Sequence, residues 1–75
     1  MLRRYDEAIS AYNKVMKMDN RNVSVISALA YTYHLKGDYA PALDLYHRAN
    51  FIKSDDSFVA EMISKCLNDM LELVE

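Results

Sequence analysis

Three side chains in this 75-residue sequence could take part in covalent or proton-transfer chemistry: His34, His47 and Cys66. A cysteine thiolate activated by an imidazole would be a nucleophile, and histidines grouped with cysteines or acids would be metal ligands. The spacing favours neither. His34 and His47 stand thirteen positions apart without a set of cysteines and acids at metal-ligand spacing, and both are expected at the surface. Cys66 falls between Ile63 and Leu67 on an apolar stripe, which suits a buried structural cysteine better than an accessible thiolate beside positive charge. Asp55 and Asp56 could contact a metal, but carboxylates that open a helix already serve as caps. No phosphate-binding loop or hydrolase elbow occurs. The sequence is therefore expected to bind no metal or cofactor and to have no catalytic residues.

The elements that would carry these residues are four helices. Tyr5, Ala8, Ile9, Tyr12, Val15 and Met16 recur at helical spacing over Leu2 to Met18, and the run ends in the turn-forming cluster Asp19-Asn20-Arg21-Asn22. Asn20 or Asn22 can cap a second helix over Val23 to Lys36. Gly37, the only glycine, stands where that helix must stop and where a left-handed residue is expected. Asp38 is expected to cap a third helix from Tyr39 to about Ile52, with Pro41 in its first turn, where no amide donor is needed. Ser54, Asp55 and Asp56 open the fourth helix. Its apolar stripe of Phe58, Val59, Met62, Ile63, Cys66, Leu67, Met70, Leu71 and Val74 is the longest in the chain.

Composition narrows the class further. The chain is 52% hydrophobic, with one glycine and one proline, which favours a small helical domain over a disordered chain or a turn-rich β fold. One cysteine cannot make an intrachain disulfide, and the chain suits a reducing compartment such as cytosol or nucleus. No apolar run approaches the ~20 residues that span a bilayer, and no targeting segment is read at the start. The net charge of −2 is unevenly spread: residues 1–22 hold an excess of Arg and Lys, and residues 55–75 hold six acids against Lys65. A nucleic-acid surface would need a basic stripe, which is absent. The acidic end reads as a solvated helix face, or else as a docking surface for a basic partner.

Sliding the sequence on itself by thirty-four residues superimposes Tyr5 on Tyr39, Ala8 on Ala42, Ile9 on Leu43, Tyr12 on Tyr46, Val15 on Ala49 and Met18 on Ile52. Continuing, Ile26, Leu29 and Tyr33 fall on Ala60, Ile63 and Leu67. This period is that of the tetratricopeptide family. Residues 23–56 resemble one complete repeat of that family, with Leu29, Ala30, Tyr33, Gly37, Tyr39, Ala42, Tyr46 and Ala49 in its signature places; Ile26 takes the tryptophan place and Ser54 the closing proline place. The implied fold is all-α, antiparallel helical hairpins of a tetratricopeptide solenoid. Residues 1–22 form the second half of a repeat, 23–56 a complete repeat, and 57–75 a half repeat or capping helix. A narrower resemblance, carried by AYTYHLKGDY and by Asp55-Asp56-Ser57-Phe58 followed by Glu61-Met62, is to the C-terminal repeats of the cell-division-cycle tetratricopeptide subunits of the anaphase-promoting complex, or cyclosome. It implies a non-catalytic scaffold in a ubiquitin ligase acting in mitosis, located in nucleus and cytoplasm, with other subunits as its protein partners. The alternative is a general peptide-binding adaptor or co-chaperone module.

In such a stack the first helices of successive repeats line a concave groove. The groove residues are then Ser24, Ser27, Tyr31 and His34 on the second helix, with Phe58, Glu61, Lys65 and Asn68 on the fourth. Tyr31 is expected to stack on a bound peptide, and His34, Glu61 and Asn68 to hydrogen-bond to it. The plainer reading is a solvated polar face. The unpaired apolar faces of the first and fourth helices lead us to expect self-association, or melting at low temperature.

Overall fold

The computed structural model describes residues 2–72, and the side chains of residues 4–72. Four α-helices follow one another: α1 (Leu2–Met18), α2 (Val23–Lys36), α3 (Tyr39–Ile52) and α4 (Ser57–Glu72). These are the expected elements. Val74, expected on the last apolar stripe, lies outside the described residues.

Local chemistry sets most of the boundaries. Asn22 takes an extended conformation and its Oδ1 accepts from the Val25 amide at 3.2 Å, satisfying one exposed donor of the first turn of α2. Gly37 ends α2 at φ +96°, with its amide donating to His34 O and the Asp38 amide donating to Tyr33 O at 2.9 Å. This pair of bonds is the Schellman closure, which turns the chain at once into α3. Asp56 opens α4 by accepting from the Phe58 amide at 3.0 Å.

The expected Asp38 cap is absent, because its carboxylate makes no cap bond to α3 and lies 3.8 Å from Lys36 Nζ. Lys36 also donates to Asp6 Oδ1 of α1 at 2.8 Å, so the cation at the end of α2 competes for the carboxylate. That hydrogen bond to Asp6 is the main reason the Lys36 ammonium titrates above its usual range.

A side chain at Gly37 would meet nothing within 4 Å, so its substitution tests backbone strain alone. Gly37→Ala should cost about 1–2 kcal/mol, the usual penalty for an L-residue in the left-handed region. Urea unfolding should show a lower midpoint with an unchanged slope. An alanine variant as stable as the parent would mean that the turn relaxes to negative φ.

Packing follows the sequence repeat. α2 lies between α1 and α3, α3 packs on α4, and α2 touches α4. Small residues on α2 and α3 let these helices close: Ala30, Ala42 and Ala49 are fully buried around Ile26 and Tyr46. Val59, Met62 and Cys66 of α4 complete the same core. The helices form a thin slab of 40 × 32 × 15 Å, so each outer helix keeps one face in solvent. Hence only part of the α4 stripe is covered: Phe58, Leu67 and Leu71 remain 48%, 44% and 69% exposed.

Candidate partner-binding groove

α2 and α4 present their side chains to a shared face. Ser24, Ser27 and Tyr31, spaced three and four residues apart on α2, meet Phe58 from the first turn of α4 across a pocket of about 430 Å³. Val23, Ala28, Lys53 and Asp56 complete its walls. Tyr31 also borders a second pocket of about 310 Å³, where His34 and Lys65 meet Leu35, Tyr39, Met62 and Asp69. The tyrosine, 42% exposed, is thus the ridge between two adjoining depressions.

The other two expected groove residues sit apart. Glu61 is exposed but lines neither pocket. Asn68 lies with Ser64, Lys65, Leu67 and Leu71 in a shallow depression formed by α4 alone. Ser27 is buried at 8% exposure, and its Oγ has no hydrogen-bond partner.

His34 corrects the expectation of a surface histidine. It is 7% exposed, and its Nε2 lies 2.7 Å from Asp69 Oδ2 of α4. With Nε2–H donating to that carboxylate, Nδ1 is left to accept a long bond of 3.5 Å from the Tyr46 hydroxyl of α3. Three tyrosine rings meet the imidazole edge-on, Tyr39 at 5.5 Å, Tyr46 at 6.2 Å and Tyr31 at 6.4 Å between centroids. Both ring nitrogens are therefore engaged within the chain, and His34 ties α2, α3 and α4 together. The sequence reading missed Asp69, although the period offered a signal: one repeat beyond His34 is residue 68, its neighbour.

Nor is a nucleophile assembled here. Cys66 is fully buried, and its thiol points at the Tyr39 carbonyl at 3.6 Å. Burial pushes the Cys66 thiol above its usual range, with Asp69 adding to the shift, which is the reverse of activation. Among the described residues, no three His, Cys, Asp or Glu side chains are grouped to hold a metal ion, and no helix is long and apolar enough to cross a membrane.

Burial also raises the Tyr46 phenol, with smaller contributions from Cys66 and Tyr31. The raised values of Tyr46 and Cys66 make a pH prediction. Each group holds its proton in the folded chain at a pH where the unfolded chain, near the ordinary 10.0 and 9.0, has released it. Their contribution to stability is thus full below about pH 9 and is lost as pH rises through the folded values. Urea unfolding should show a stability that holds up to about pH 9 and falls steadily from there to about pH 11. Cys66→Ala combined with Tyr46→Phe should flatten that fall without abolishing it, because Lys36 is raised as well. An unchanged slope in the double variant would contradict the assignment.

Comparison with known proteins agrees with this architecture. Residues 1–75 match the family described as "Anaphase-promoting complex, cyclosome, subunit 3". Anaphase-promoting complex subunit 6 of Arabidopsis thaliana is 43% identical over 68 residues, covering 91% of this chain and 12% of the relative. The human cell division cycle protein 16 homolog is 30% identical over 66 residues, covering 88% and 11%. Anaphase-promoting complex subunit 6 of Dictyostelium discoideum is 34% identical over 67 residues, covering 89% and 8%. The chain thus spans about a tenth of the length of these relatives. A four-helix array with a 34-residue period, matched from its first residue to its last, belongs to the anaphase-promoting complex, cyclosome, subunit 3 family.

Proposed function

We propose that this chain is a non-catalytic scaffold segment that holds other protein subunits of an anaphase-promoting-type ubiquitin ligase, and so takes part in cell-cycle protein ubiquitination in nucleus and cytoplasm. The observation that carries the reading is the exposed aromatic pair Tyr31 and Phe58, which face one pocket between α2 and α4 in a chain matched over its whole length by that family. Such a scaffold works by complementarity: rings fixed on two rigid helices offer apolar area with little side-chain freedom to lose on binding. A carboxylate-clamping co-chaperone is the weaker reading, because the pocket's one cation, Lys53, has Asp56 on the same wall.

Recovery of ubiquitin-ligase subunits with the tagged chain from dividing cells tests the proposal. The double variant Tyr31→Ala, Phe58→Ala should reduce that recovery at least tenfold, the effect of roughly 1.4 kcal/mol of lost binding. Phe51→Ala removes an 86% exposed ring that does not line this pocket and should leave recovery unchanged. Equal recovery with the double variant would exclude the groove as the binding surface.

A further inference from the structure

A second recessed surface lies away from the groove, on the seam where α1 and α3 flank α2. Lys17 of α1, Asn20 of the turn that follows and Arg48 of α3 border a depression of about 530 Å³ there, with the buried Leu29 of α2 in its lining. Asn20 and Arg48 also border a second depression of about 360 Å³, where Arg21 joins them. Three cations thus share one seam whose walls and floor all belong to this chain, and no aspartate or glutamate lines either depression. Among the described residues, none of the three makes an ion pair. Asp19 and Asp44, the acids closest to them in sequence, lie outside both linings, and the Asp19 carboxylate accepts instead from the Arg21 backbone amide at 3.2 Å. The seam is therefore a local concentration of positive charge without an internal counter-ion.

We propose that this seam docks an acidic segment of a partner protein, with a carboxylate seated on Arg48 and flanking carboxylates drawn to Lys17 and Arg21. Arg48 borders both depressions, and a planar guanidinium can hold a carboxylate through two parallel hydrogen bonds. Lys17 and Arg21, one in each depression, extend the positive field to either side. The rest of the lining selects a peptide. The side-chain amides of Asn13 and Asn20 offer donors and acceptors to its backbone. Half-buried Met16 and Leu45, with buried Leu29, give an apolar floor for an alkyl side chain. That floor suits a sugar-phosphate backbone poorly, and three cations fall short of the basic stripe that a nucleic acid needs. The inference goes beyond the groove reading, because no residue of the Tyr31 and Phe58 pocket lines the seam.

Fluorescence anisotropy of a labelled peptide of alternating glutamate and leucine, titrated with the whole 75-residue chain, tests it. Binding is expected at about 0.1 M salt and should weaken strongly at about 1 M, where the screening length falls from ~10 Å to ~3 Å. A peptide with glutamine in place of every glutamate should not bind. Arg48→Gln should weaken binding about tenfold or more, equivalent to ~1.4 kcal/mol. Lys14→Gln removes the same charge from an exposed position of α1 outside both depressions, and should change the affinity less than about twofold. Both positions are solvent-exposed, and far-ultraviolet circular dichroism should confirm unchanged helix content. Tyr31→Ala with Phe58→Ala should leave this binding intact, so the seam and the groove are tested separately. Absence of binding by the parent chain, equal losses from Arg48→Gln and Lys14→Gln, or equal binding of the glutamine peptide would overturn the proposal. So would tighter binding of a single-stranded oligonucleotide of equal charge, which would mark the seam as a phosphate site.

Discussion

Replacing Tyr46 by alanine should remove a large share of the chain's total stability. Tyr46 is the largest fully buried side chain, set on α3 where α2 and α4 converge. Truncating a buried aromatic to alanine costs about 3–5 kcal/mol, part of it from the cavity left behind. At about 0.05–0.15 kcal/mol per residue, a chain of this length has a total stability of roughly 4–11 kcal/mol. The loss therefore consumes a large share of the whole, and the slab offers few neighbouring side chains that could collapse into the void. Tyr46→Phe separates the ring from the hydroxyl. It removes only the long 3.5 Å bond to His34 Nδ1 and should cost about 1 kcal/mol. Circular dichroism at 222 nm during urea titration distinguishes the two: the phenylalanine variant keeps a cooperative transition at a slightly lower midpoint, while the midpoint of the alanine variant falls much further and its folded baseline shortens. An alanine variant that unfolds within 1 kcal/mol of the parent would show that the core does not depend on this ring.

The contrast between Tyr46 and His34 marks what a sequence discloses in a short helical array. Tyr46 repeats Tyr12 at the period and sits on an apolar stripe, so its burial is legible, as are the four helices, a cap at Asn20 or Asn22, of which the structure uses Asn22, and Gly37 as the left-handed stop. His34 is polar and breaks the stripe, and residue type alone places it outside. Its burial depends on Asp69, 35 positions away, and on three tyrosine rings that no local window connects. Asp38 failed as a cap for a similar reason, a competing cation at Lys36. Within the groove, helical spacing places Ser24, Ser27 and Tyr31 together, but Lys53 and Asp56 come from the turn before α4, and a turn's direction is set by packing. The α4 stripe shows the remaining gap: periodicity identifies its apolar residues, whereas only the neighbouring helices decide that Val59 is covered and Leu71 is not.

Ala42→Leu should be the second severe change, and it tests whether the small residues set the spacing of the helices. Ala42 is fully buried in the α2–α3 contact with Ala30 and Ala49 in the same cluster, so three added carbons have no void to enter. Overpacking of this kind typically costs about 1–3 kcal/mol, and helix propensity does little to offset it because alanine and leucine are both good helix formers. Ala40→Leu, two residues earlier on the same helix but exposed, should stay within about 0.5 kcal/mol of the parent. Ala8→Leu places the same change at the corresponding position of α1, which is half-buried, and should fall between the two. Urea unfolding at low chain concentration gives all three values for the separate chain. The order Ala42, Ala8, Ala40 is required if one sequence position matters in proportion to the helices packed around it. Equal losses at positions 42 and 40 would mean instead that α2 and α3 are held apart by their larger side chains, and that the repeated alanines are incidental to the fold.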